Sequence, residues 1–209
     1  FATVQISKVL GDGDIKESLE KDSTIGANLV IQIVRLFKGC PTIHLAYESN
    51  WMQPWLMLKV GYNTATEAEI DTSGQCYCSM QRSTRPTTRP DKARYEKIMH
   101  KYVDLSTPSN TWGLAMLNEG KYAYDASEGK MRLTMLRTPT YPGPAGEAWI
   151  LQERIKRRKE HGTSVPDFVD LGLLRCRYAL LPHEGGALRN QDDGENSIVI
   201  AKSEEFNNT

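Results

Sequence analysis

The chain has no surplus of either charge. Its 26 Lys and Arg are balanced by 26 Asp and Glu, so the formal net charge is zero, and nothing pulls it electrostatically toward nucleic acid or an anionic membrane. It also has no long hydrophobic run. The longest, Leu29 to Phe37, is broken by Gln32 and Arg35, whereas a bilayer span needs roughly 18 to 20 apolar residues. Cysteine is sparse: four in 209 residues, with no C-x-x-C and no paired His at finger spacing. A disulfide scaffold and a zinc finger are therefore excluded. Cys40, Cys76, Cys78 and Cys176 are expected as buried free thiols, which points to a reducing, cytoplasmic compartment. G-x-S-x-G, H-E-x-x-H, the P-loop and G-x-G-x-x-G are all missing, so no nucleophile elbow, zincin helix or phosphate cradle can be assigned. A starting Met and a signal-like leader are missing too, which leads us to expect a piece of a longer polypeptide.

What is present is a period of two. Ile43, Leu45 and Tyr47 alternate with His44, Ala46 and Glu48; Leu56, Leu58, Val60 and Tyr62 alternate with Met57, Lys59 and Gly61. Met131, Leu133 and Met135, then Cys176, Tyr178 and Leu180, repeat the pattern. Each run lays one apolar face on a core, which is the signature of a half-buried strand. Val4-Gln5-Ile6 also reads as strand. Lys38-Gly39-Cys40-Pro41, Glu119-Gly120 and Glu128-Gly129 supply the turns between strands. Many strands at short spacing point to a mainly β fold, an antiparallel β-sandwich.

Two stretches depart from the pattern. Ser83 to Pro90 holds two prolines and is expected as an extended loop. Glu147 to His161 is free of Gly and Pro, places Leu151 and Ile155 at i, i+4, and ends on Gly162. It is expected as one short helical insertion over 147–162, and its Lys156, Arg157, Arg158 and Lys159 suit a helix C-terminus.

Trp112 to Pro142 carries W-G-L-A-M-L-N-E-G-K-Y-A-Y-D and then L-T-M-L-R-T-P. This resembles the middle of the alpha-mannosidases of glycoside hydrolase family 38, with their G-x-A-x-L-N-x-x-K-Y-G-Y-D and L-x-L-L-R-S-P. Tyr178 to Gly185 is similar to the family's Y-A-L-x-P-H-x-G, and Val169 to Gly172 to the D-x-G before it. Gln32 to Phe37, Asn50-Trp51 through Val60, Arg82 to Thr87 and Tyr102 to Ser106 follow in the family's order. The resemblance runs from about Leu29 to Gly185. Asn50 stands for the family's usual Asp, Ala123 for its Gly, and Leu174 where a His commonly follows D-x-G-x.

The resemblance implies the family's carboxy-terminal β-sandwich, a galactose-mutarotase-like supersandwich, as a single domain over residues 1–209. It implies a zinc-dependent retaining alpha-mannosidase acting on mannose-containing oligosaccharide, with catalytic carboxylates and zinc ligands in an amino-terminal barrel absent from this chain. No catalytic residue and no metal are then expected in the fragment, and neither nucleic acid nor membrane as a partner. The fragment is expected to form one wall of a sugar pocket, with Arg137, Tyr122, Tyr124, Asp125 and His183 as candidate sugar contacts. Tyr122 and Tyr124, two apart, fall on one side of a strand. An apolar surface patch is expected where the barrel docks. The residues also leave open a non-catalytic carbohydrate-binding module or a structural interaction domain.

Overall fold

Alternation decides where the strands lie. The computed structural model describes residues 2–10 (backbone alone), 28–127, 129–139, 156, 168–188 and 197–208. In chain order these form β1 (Ala2–Leu10), β2 (Asn28–Leu36), β3 (Ile43–Trp51), β4 (Met57–Asn63), β5 (Ile70–Gly74), β6 (Ser79–Ser83) and α1 (Arg89–Ala93). There follow β7 (Lys97–Ile98), β8 (Tyr102–Ser106), β9 (Trp112–Asn118), β10 (Ala123–Ser127), β11 (Lys130–Arg137), β12 (Gly172–Glu184) and α2 (Ile198–Asn207). In β3, Leu45, Tyr47, Ser49 and Trp51 are buried. In β11, Met131, Leu133 and Met135 are buried, and a bulge between Thr134 and Leu136 turns Leu136 inward as well.

The strands assemble into an eight-stranded sheet, β1-β2-β3-β12-β9-β8-β5-β6, and a four-stranded sheet, β4-β11-β10-β7. Every pairing given is antiparallel. β12 joins the halves of the larger sheet: Gly172–Leu180 pairs with β3 and Tyr178–Glu184 with β9. Between the sheets, Tyr47, Val103, Leu105 and Met116 pack with Tyr124, Met131 and Leu133. Each such side chain contributes on the order of 1.5–3 kcal/mol by leaving water. The outer face of the larger sheet has its own small core, where Val199 and Phe206 of α2 cover Leu117, Ala179 and Leu181. This makes Tyr178 to Leu181 buried on successive residues, because both sheet faces are covered there.

The structure corrects three expectations. Leu56 lies outside β4 and is exposed. The expected loop at Ser83 to Pro90 ends inside α1, with Pro90 in its first turn and Thr88 accepting from the Asp91 amide at 3.3 Å; proline is tolerated in that turn because an N–H at its position would have no helical partner. Cys76 and Cys78 are exposed. They sit in the β5–β6 connection, not on a strand, so the rule that residues two apart share a buried face does not reach them. Gly39 takes φ +79° in the β2–β3 turn, as its place in that loop requires. The expected helix over 147–162 lies outside the described residues, save Lys156.

Candidate functional site

One end of the sandwich is built where β3 and β11 finish and β4, β12 and β2 begin. Met57 and Arg137 face each other across β4 and β11, and Leu173 and Leu29 flank Asn50 on neighbouring strands. Thr138, fully buried, ties the connection together. Its amide donates to the Leu56 carbonyl at 2.9 Å, its hydroxyl to the Gln53 carbonyl at 2.9 Å, and its carbonyl accepts from the Trp55 amide at 2.8 Å. Held this way, Trp55 adopts φ +63°. That backbone region costs a bulky L-residue on the order of 1–2 kcal/mol. Its ring meets Phe168 edge-on at 5.3 Å and is nevertheless 67% exposed. Met52, Leu56, Met57, Leu171 and Leu173 are also exposed, in the strand ends and connections at this end of the sandwich. Arg137, itself exposed, ends β11 opposite Met57.

The other four candidates lie elsewhere. Tyr124 is wholly buried in the main core, where its hydroxyl donates to Asp71 Oδ1 at 2.7 Å and Asp71 also pairs with Lys97. Burial, followed by the Asp71 charge, pushes the Tyr124 phenol far above its usual range. Tyr122 precedes β10 and is 55% exposed, its ring 5.6 Å from that of His100. Tyr122 and Tyr124 do not share one strand face: the strand begins at Ala123, and only the Tyr124 ring is held to its inner face.

Asp125 is buried at the floor of a cleft between β6 and the smaller sheet, a space of about 730 Å³ with Tyr95, Arg82 and Arg94 on its walls. Its carboxylate accepts from Lys59 at 2.5 Å and from Arg132 at 2.6 Å, and Lys59 also pairs with Glu96.

His183 lies near the far end of β12, roughly 35 Å from Gly172 at about 3.3 Å per residue. It is buried beside a cavity of about 590 Å³ that Trp112 and Ile198 also line. Nε2 donates to Asp104 Oδ1 at 2.7 Å, Nδ1 faces the Glu184 carbonyl at 3.3 Å, and Ser106 donates to the other Asp104 oxygen at 2.6 Å. Burial alone lowers the His183 pKa, but the Asp104 hydrogen bond and charge outweigh it and raise the value above 6.5. With oxygen acceptors at both ring nitrogens, the imidazolium form is the one that fits. Asp104 and Thr138, which organise the two ends, were not singled out from the sequence; the partner that defines each is 79 or more residues away.

Residues 4–145 match the sequence pattern of the glycosyl hydrolases family 38 C-terminal domain. The chain belongs to this family. Among relatives of the family 38 domain, Alpha-mannosidase 2C1 of Mus musculus is 29% identical over 154 residues, a match covering 74% of this chain and 12% of that protein. Alpha-mannosidase G of Dictyostelium discoideum is 26% identical over 136 residues, covering 65% and 10%. The chain thus spans about an eighth or less of the relatives it matches. A solved alpha-mannosidase from Enterococcus faecalis V583 superposes with a TM-score of 0.63 at 15% identity, over 88% of this chain and 21% of that one. That likeness establishes the sandwich fold of the family 38 domain. Among the described residues, no three His, Cys, Asp or Glu side chains are grouped to hold a metal ion, so the described part of the domain does not fit a zinc site. No helix among the described residues is long and apolar enough to cross a membrane.

Proposed function

We propose that this chain is the C-terminal sandwich part of a zinc-dependent retaining alpha-mannosidase, hydrolysing alpha-mannosidic bonds, and that it is inactive alone. Membership of the family over residues 4–145 carries the reading. On this reading residues 1–209 form one domain of a longer chain, and an amino-terminal barrel holds the zinc and the catalytic carboxylates. Retention of configuration requires a nucleophilic carboxylate and an acid/base about 5 Å apart, flanking the bond to be cut. The buried carboxylates among the described residues support inactivity in isolation, because each of those is already committed. Asp71 is held by Lys97 and Tyr124, Asp104 by His183 and Ser106, and Asp125 by Lys59 and Arg132. The exposed apolar end suits a docked catalytic domain, and it would bring Arg137 to the rim of a shared pocket, where a guanidinium can fork onto hydroxyls or a carboxylate. The four free thiols support a cytoplasmic setting.

The test is hydrolysis of an aryl alpha-mannoside by the 209-residue chain alone and by the same chain joined to its preceding segment, with zinc and with chelator. The expected result is no turnover alone and zinc-dependent turnover when joined. Zinc-dependent turnover by the chain alone would put the catalytic groups inside it. No activity in either form would move the weight to a non-catalytic role. The cleft over Asp125 favours a second reading of that kind, since an exposed Tyr95 beside polar groups is what a mannose-binding groove requires. Mannose titration of the isolated chain, with Asp125→Asn as the comparison, tests it.

A further inference from the structure

The connection between β5 and β6 carries Gln75-Cys76-Tyr77-Cys78 and is closed by a hydrogen bond from the Gln75 amide to the Cys78 carbonyl at 2.7 Å. Both cysteines are exposed. Cys76 Sγ lies 3.3 Å from Nε2 of His100, in the short link between β7 and β8. That imidazole is positioned independently of the thiol. The His100 amide donates to the Gly74 carbonyl at 2.8 Å, its carbonyl accepts from the Asn118 side chain, and its ring packs on Tyr122. The remaining cysteines are built differently. Cys176 is half-buried, and burial pushes its thiol up to about 11. Cys40 lies 4.0 Å from His44, whose pKa burial and then Arg177 depress, making it a poor proton acceptor.

We propose that Cys76, with His100 as its base, is a reactive thiol site that takes low-molecular-weight disulfides. His100 Nε2 accepts the thiol proton. The Cys76 thiolate attacks one sulfur of R–S–S–R, forming a protein–S–S–R bond. The original S–S bond breaks, and the departing RS⁻ recovers the proton from His100 and leaves as RSH. Cys76 is oxidised and the small disulfide is reduced, so atoms and electrons balance. A hollow of about 270 Å³ between the β5–β6 connection and α2 receives the adduct, with Lys101 and Glu204 on its wall. Those two are paired with each other and largely cancel. The other titrating groups that face the site are Cys78, Tyr77 and Tyr102.

Cys78 shares the exposure and the connection but not the imidazole, and serves as the internal reference. The reduced 209-residue chain is treated with glutathione disulfide at pH 7, and each cysteine is followed by peptide mass mapping. An imidazole in contact with the thiol takes its proton as attack proceeds, so Cys76 is expected to react about 3-fold faster than Cys78. His100→Gln is expected to bring the ratio to about 1. Equal rates in the unaltered protein would overturn the proposal without any variant. An unchanged ratio in His100→Gln would also overturn it, and slow modification of Cys176 in that variant reports that the fold is intact.

Discussion

At the scale of residues, the His183–Asp104 pair is the most consequential polar contact, because both side chains are almost wholly removed from water. Its folded-state pKa lies above 6.5. The pair's extra stability is therefore fully present below pH 6.5 and is lost as pH rises through the folded value. Asp104→Asn is expected to cost roughly 3 kcal/mol at pH 6. The gap between the urea midpoints of the two proteins should narrow as pH rises through the folded value; a gap that widens would put the wrong charge state in the pair. The same pocket constrains β9. A Cβ added at Gly113 would stand 2.7 Å from His183 and from Ser106 Oγ. Gly113→Ala should therefore lose about 1–3 kcal/mol in urea titration, although alanine elsewhere in a strand is mild. Little of this was legible beforehand. The resemblance picked out His183 as a candidate sugar contact, but Asp104 gave no sign of being its partner. Cys76 and Cys78 were misread as buried because strand parity was applied to a turn.

At the scale of elements, legibility followed how each element meets water. β3, β11 and the first half of β12 each have one wet face, so the period of two was written directly into Leu45/Tyr47, Met131/Leu133 and Cys176/Tyr178. Where α2 covers the sheet, Tyr178-Ala179-Leu180-Leu181 becomes a continuous apolar run. α2 itself went unread. Its buried face is Val199, Ser203 and Phe206, and a serine in the middle of so short a stripe erases the helical signal. Ten residues of such helix are marginal in isolation and are held by tertiary packing. Phe206→Ala is accordingly expected to cost about 3 kcal/mol. Hydrogen exchange should show α2 opening before β9 or β12; simultaneous loss of protection in all three would mean that the helix is integral to the sheet's cooperativity.

At the scale of the whole molecule, exposed apolar side chains recur at the strand ends near Trp55, where a buried threonine clamp fixes a strained tryptophan backbone. A monomer gains nothing from Trp55 at positive φ in solvent, and such strain persists where the surrounding structure or a partner requires it. Met52 and Leu173 contribute apolar area there without shaping the backbone. Met52→Lys with Leu173→Lys should leave the stability of the isolated chain within about 0.5 kcal/mol, as surface substitutions usually do. It should nonetheless reduce the fluorescence of an apolar dye bound to the chain, and lower alpha-mannoside turnover when the chain is joined to its preceding segment. The two readouts separate the alternatives. Loss of dye binding with turnover intact would make this end an apolar surface that no catalytic domain uses, and undiminished dye binding would place the exposed apolar area elsewhere on the sandwich. Loss of both, at unchanged stability, is what a docking face between sandwich and barrel requires.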